Sequence, residues 1–200
     1  QAHVTGFDIC PAAIQGLNAR LDQNPHRQRA AAILGTFDHL EAGPPSDVIV
    51  CMFGVLSHIP GRRERIETLR RLARLLTPGT GRLIVSVPNI HRRRIFEQLQ
   101  RWAQIKTGRD TTGGDEPGDV TYRRNLGGRS VELFYHLYSK SRFAADLAEA
   151  GLDTVAMMPE SVFSEAGVTH SAVLRAIDGA LLTVCPTWLG YDLLAVTAPR

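Results

Sequence analysis

The sequence predicts an α/β fold built on a mostly parallel sheet, and three observations carry that reading. Val48-Ile49-Val50 is an apolar, β-branched run, too short for a helix and too continuous for a strand with one wet face, so it reads as a strand buried on both faces. After a turn at Pro60-Gly61, Ile66, Leu69, Leu72, Ala73, Leu75 and Leu76 recur at helical spacing with arginines on the other face. Pro78, Gly79 and Gly81 stop that helix, and Arg82 to Val87 reads as a second buried strand. Strand, helix and strand in so short a span form a βαβ unit, whose two strands run parallel.

The remaining elements follow in order. His3 to Ile9 reads as a strand ending in an acid, and Pro11 to Leu21 as a helix with Ile14, Leu17 and Leu21 on one face. Residues 30–34 form a short strand that runs into Gly35-Thr36-Phe37-Asp38. His91 to Ile105 has helical spacing, with Ile95, Leu99 and Trp102 inward and Arg92, Arg93 and Arg94 at its start. Lys106 to Gly118 carries no periodicity and is rich in Thr, Gly, Asp and Pro, which marks a loop. Ser139 to Gly151 is a helix with Phe143, Leu147 and Ala150 inward, capped by Ser139 or Ser141. Leu152 to Met158 is a strand, Ser171 to Val184 an apolar helix and Gly190 to Thr197 a final strand. Strands at 3–9, 30–34, 47–53 and 82–87 are expected to run parallel.

Composition narrows the class. Two hundred residues make one domain the default. The formal charge is +3, and only Lys106 and Lys140 among 23 basic residues are lysines. Such arginine usage suits phosphate or carboxylate recognition and equally reflects a compositional bias. Cys10, Cys51 and Cys185 are odd in number and widely spaced, which predicts reduced thiols, no zinc site and a cytoplasmic protein. No apolar run reaches the roughly 20 residues that span a bilayer. Phosphate-binding, zinc-protease and serine-hydrolase motifs are missing from the sequence.

The stretch from Asp47 to Asn89 resembles the fourth-to-fifth-strand region of class I S-adenosylmethionine (SAM)-dependent methyltransferases. Val55, Leu56, His58 and Ile59 match the loop, and Leu76-Thr77-Pro78-Gly79-Thr80-Gly81 matches the helix end, with Thr80 interrupting the family's glycine pair. Gly6-Phe7-Asp8-Ile9 is similar to the family's second-strand end. The resemblance implies a Rossmann-like, doubly wound sheet whose last strand is antiparallel. It also implies SAM as methyl donor, with Asp8 on the ribose and Ile9 against the adenine. From the residues alone, Asp8 equally reads as part of the cap of the helix starting at Pro11. The family's adenine-side acid has no counterpart, since Thr36 stands in its place, leaving Thr36, Asp38 or Phe37 with backbone groups. Cys51, Met52 and Phe53 would line the donor pocket.

The family's first strand, its helix and the glycine-rich loop between them have no match here, so the sequence reads as a methyltransferase domain over 1–200 incomplete at its N-terminus. Weak SAM binding and doubtful activity are expected of these residues by themselves. Gly118-Asp119-Val120 followed by Phe134-Tyr135-His136-Leu137-Tyr138 is similar to a pattern in tRNA wobble-uridine carboxymethyl methyltransferases, with Leu133 where that family has arginine. An inserted acceptor or lid region is therefore expected over about 90–138. Tyr135 and His136 are acceptor-side candidates, or pack beneath the lid. His58 is a candidate base or positioning group, or a cap for the following helix. The acceptor is a small molecule or a tRNA nucleoside; the alternative is a non-catalytic binding module on the same scaffold.

Overall fold

The computed structural model describes residues 2–36, 44–93, 95–106, 116–126 and 128–200. The chain divides into two compact units, Gln1–Pro44 and Pro45–Arg200. In the first, β1 (Val4–Asp8), α1 (Pro11–Asp22) and β2 (Ala30–Leu34) make a βαβ unit, with β1 and β2 parallel from Val4 opposite Ala30 to Asp8 opposite Leu34. Pro11 opens α1, where its fixed φ suits the first turn and its missing N–H has no helical partner to lose. Ile14 is buried, whereas Val4 and Leu34 are 62% and 52% exposed.

The second unit opens with β3 (Val48–Cys51), α2 (Arg62–Arg74) and β4 (Arg82–Pro88). Next come α3 (Ile95–Lys106), an antiparallel hairpin of β5 (Asp119–Leu126) and β6 (Arg129–His136), and α4 (Lys140–Glu149). The unit then holds β7 (Leu152–Ser161), α5 (Glu165–His170), α6 (Ala172–Leu182) and β8 (Asp192–Pro199). Its main sheet has the order β3-β4-β8-β7. β3 pairs parallel with β4, while β8 pairs antiparallel with both β4 and β7. Three strands thus run one way and β8 alone runs the other, as the resemblance implied.

The core forms where α2 and α4 cover this sheet. Ile66, Leu69 and Leu72 of α2, Phe143 and Leu147 of α4, Leu83, Val85 and Val87 of β4, and Leu193 and Ala195 of β8 are all buried. Ser139 caps α4, its hydroxyl accepting from the Arg142 N–H at 3.3 Å.

Three expectations about burial change. Val48 and Val50 are 54% and 61% exposed, because β3 lies at the edge of the four-stranded sheet with β4 as its one neighbour there. Ile95, Leu99 and Trp102, expected inward, are all more than half exposed, and the helix begins at Ile95 rather than His91. Arg65, expected on a wet face of α2, is fully buried. Phe37, Asp38 and most of the loop after Lys106 lie outside the described residues.

Candidate active site

The carboxyl end of β3 turns out of the sheet through two successive left-handed residues, Phe53 (φ 63°) and Gly54 (φ 68°). The Phe53 N–H donates to the Ser86 hydroxyl of β4 at 3.0 Å, which fixes the turn. Cys51 is buried just before it, and burial pushes its thiol up to about 11, so it stays protonated at neutral pH. Met52 is half-buried and the Phe53 side chain is exposed. A Cβ on Gly54 would lie 2.6 Å from the Tyr135 hydroxyl and 3.4 Å from Pro88 Cδ. Glycine is therefore required both by its φ and by the phenol seated over it.

His58 and Tyr135, two of the candidates read from the sequence, meet here. Their ring centroids are 4.7 Å apart at 46°, and His58 Nδ1 lies 3.1 Å from the Phe134 carbonyl oxygen. Gly61, not His58, holds the cap position of α2, which has no side-chain cap. Tyr135 is buried with Val120 and Leu137, and Tyr122 and Ile90 pack against that cluster.

His136 is next to Tyr135 in the strand, so its side chain emerges on the opposite face. It is fully buried; its Nδ1 lies 2.5 Å from Asp119 Oδ1, its directly opposite residue in the hairpin register. In that contact Nδ1 donates to the carboxylate, and Nε2 is buried with no hydrogen-bond partner among the described residues. Asp119 Oδ2 accepts from the Glu116 N–H at 3.2 Å. Burial alone would raise the Asp119 carboxyl. The His136 hydrogen bond and charge, the Glu116 N–H and Arg65 outweigh it and hold the carboxyl below the ordinary range. Glu116 in turn accepts from Arg65 at 2.5 Å and Arg142 at 2.9 Å. Glu116, Asp119 and His136 bring possible ligand atoms within 4.8 Å of one another. The two arginines and the His–Asp bond already engage these groups, so they form an ion-pair chain rather than an open metal cage.

On the other side of the Phe53 turn, a cavity of about 160 Å³ is lined in part by Phe53, Glu160, Ser161, Asp178 and Asp192. Asp192 is paired with Arg93, whose guanidinium lies 4.2 Å over the Tyr191 ring. Asn89 braces this region: its amide donates to the carbonyls of Trp188 (2.8 Å) and Gly190 (2.7 Å).

In the first unit, Asp8 ends β1, exposed, with Oδ1 accepting from the Cys10 N–H at 2.8 Å. Ile9 beside it is 70% exposed, and Thr36 follows the end of β2. Asp8 Oδ1 closes a local turn onto Cys10 rather than capping α1, which has no side-chain cap. A carboxylate has about four lone-pair sites, which leaves capacity for two hydroxyl donors.

Sequence reasoning overlooked Gly54, Arg65, Glu116, Arg93 and Asp192. One signal was available: Ser86 interrupts a valine run in a buried strand, which requires a polar partner. The carboxylate partners of Arg65 and Arg93 lie dozens of residues away, beyond any local pattern.

Residues 1–83 match a family model described as a methyltransferase domain. No curated protein matches the chain in sequence. Among solved structures, it is similar to the CcbJ methyltransferase from Streptomyces caelestis at 15% identity, TM-score 0.64, covering 99% of this chain and 80% of that one. A SAM-dependent methyltransferase from Methanosarcina mazei gives 15% identity and TM-score 0.64, covering 98% and 81%. The glycopeptide N-methyltransferase MtfA, complexed with SAM, gives 13% identity and TM-score 0.55, covering 99% and 78%. The first 83 residues thus match a methyltransferase domain, and nearly the whole chain shares its fold with these solved methyltransferases.

Proposed function

We propose that this protein transfers the methyl group of SAM to a small-molecule acceptor. The observation that carries the reading is the domain match over residues 1–83, which spans both Asp8-Ile9 and the turn from Cys51 to His58. In the first unit, Asp8 accepts from the ribose hydroxyls and Ile9 packs on the adenine, with Thr36 and Phe37 as further adenine-side candidates. In the second, Cys51, Met52 and Phe53 line the methyl-donor pocket, and the carboxyl end of β3 is where a parallel sheet presents ligands.

SAM supplies an activated methyl on a sulfonium, so the chain's residues have to orient and to exclude water rather than supply a strong base. Tyr135, seated over Gly54, and His58, stacked on it, are the groups we assign to positioning the acceptor. His136 is buried on the far face of β6 and acts through the hairpin it braces. The glycopeptide N-methyltransferase among the structural relatives supports a small molecule over a tRNA nucleoside.

Calorimetric titration of SAM tests this reading. The full-length wild-type protein should bind, and Asp8→Ala in it should weaken binding by roughly 10- to 1000-fold, the loss of two hydrogen bonds to a charged acceptor. An unchanged dissociation constant would assign the ribose to another residue. Binding with no methyl transfer to any small molecule would instead identify a binding module.

A further inference from the structure

Ile90 belongs to two surfaces. It packs against the Val120–Tyr135–Leu137 cluster, and it also lines a wide-mouthed groove of about 470 Å³. The rest of the groove is His91 with Ile95, Gln98, Leu99 and Trp102 of α3. Ile95, Leu99 and Trp102 stand four and three residues apart, which places them on one face of the helix. They are 53%, 57% and 57% exposed. Gln98 fixes the groove's shape: its amide donates to the Ile90 carbonyl at 2.7 Å and the Arg93 carbonyl at 2.6 Å, tying α3 to the segment after β4.

The volume falls within the range of small-molecule sites, about 300–1,000 Å³, and the lining has the composition such sites share: apolar and aromatic, with few polar groups. Among the described residues, no Asp, Glu, Lys or Arg lines the groove. A charged ligand body would lose its hydration there without compensation. An indole and two branched aliphatic chains instead offer a surface to which a flat ring is complementary.

We propose that this groove binds the body of the methyl acceptor, and that the acceptor is an uncharged, aromatic small molecule. Ile90 is common to the groove and to the packing of the Tyr135 cluster. The proposal rests on the methyltransferase reading and deepens it by naming the acceptor's class.

The test uses coumarin, an uncharged bicyclic aromatic, with glucose as a polar control. The readout is the indole N–H resonance of Trp102, identified by its persistence in Trp188→Phe, since the chain has two tryptophans. Coumarin should shift that resonance with saturation in the low-millimolar range or tighter, and glucose should not. Leu99→Asp and Ile95→Glu should each weaken coumarin binding at least tenfold. Both positions are more than half exposed, so the fold does not rest on them. Val173→Asp, at an equally exposed apolar position of α6, should leave coumarin binding unchanged. SAM affinity should be the same in wild type and Leu99→Asp.

Equal shifts by coumarin and glucose, or coumarin binding within twofold of wild type in Leu99→Asp and Ile95→Glu, overturn the proposal. So does a dimer in sedimentation that Leu99→Asp dissociates, because a second copy would then cover the groove. If SAM binds and coumarin does not, the groove assignment alone fails. If the full-length wild-type protein does not bind SAM, the methyltransferase reading fails and the acceptor assignment falls with it.

Discussion

The chain contains two parallel βαβ units, Val4–Leu34 and Val48–Pro88, and they are built to different depths. In β1–α1–β2, both strands keep apolar residues in water, and one residue of α1 is buried. In β3–α2–β4, five residues of α2 are buried, as are most of β4. The sequences of the strands do not explain the contrast, since AAAIL and VIVC are as apolar as RLIVSVP. The neighbours do. β4 lies between β3 and β8 and beneath a helical layer, whereas β1 and β2 pair in a sheet of two. A β-branched run therefore specifies a strand, and the number of elements around it specifies how dry that strand becomes.

The sharpest way to break this comparison is to remove one buried group from α2. Leu69→Ala should cost about 2–5 kcal/mol. Arg65→Ala, which leaves Glu116 half-stripped of its partners, should cost about 3–5 kcal/mol. Both are measured as the loss in unfolding free energy in urea. Ile33→Ala in β2, at a position 43% exposed, should cost about 1 kcal/mol or less. Equal losses at Leu69 and Ile33 would refute the contrast in depth.

A smaller effect is expected at the Phe53–Gly54 turn. Gly54→Ala should cost about 1–3 kcal/mol from its left-handed φ and the contact with the Tyr135 hydroxyl. Adding Tyr135→Phe, which removes that hydroxyl, should recover part of the loss. A double mutant no more stable than Gly54→Ala alone would show that the phenol does not press on Gly54.

The smallest effect is in acid. Asp119 is depressed in the folded protein, so it contributes stability that is present above the unfolded carboxyl value of about 3.9 and is lost as pH falls through the lower folded value. Thermal melts from pH 5 downward should fall less steeply for Asp119→Asn than for wild type. Identical slopes would mean that the His136 pairing does not stabilise the fold.

How much of this was legible follows the same physics. β3, α2 and β4 announce themselves because local periodicity and Pro/Gly stops suffice to place them. Asp8 stood out through the resemblance rather than through its surroundings, because an acid at a strand end reads equally as part of a helix cap. The burial of Arg65 was not legible, for an arginine in a helix is buried only if a carboxylate comes to it, and Glu116 comes from 51 residues away. Nor was the exposure of Ile95, Leu99 and Trp102 legible, because a helical stripe states which face is apolar and not what covers it. His136 and Asp119 sat within one quoted motif, yet their pairing needed the hairpin register to become visible.

The place of β8 between β4 and β7 has a consequence for synthesis. It is the last of the four strands in sequence, and it begins about a hundred residues after β4 ends. At a translation rate of roughly 5–20 residues per second, the β4 edge waits on the order of 5–20 s on the ribosome before its partner emerges. The nascent chain thus carries an open apolar edge through the making of the whole hairpin, β7 and the four described helices α3 to α6. A chaperone that covers strand edges has its window there, and a stalled ribosome upstream of Asp192 would release a product prone to pair with its own kind.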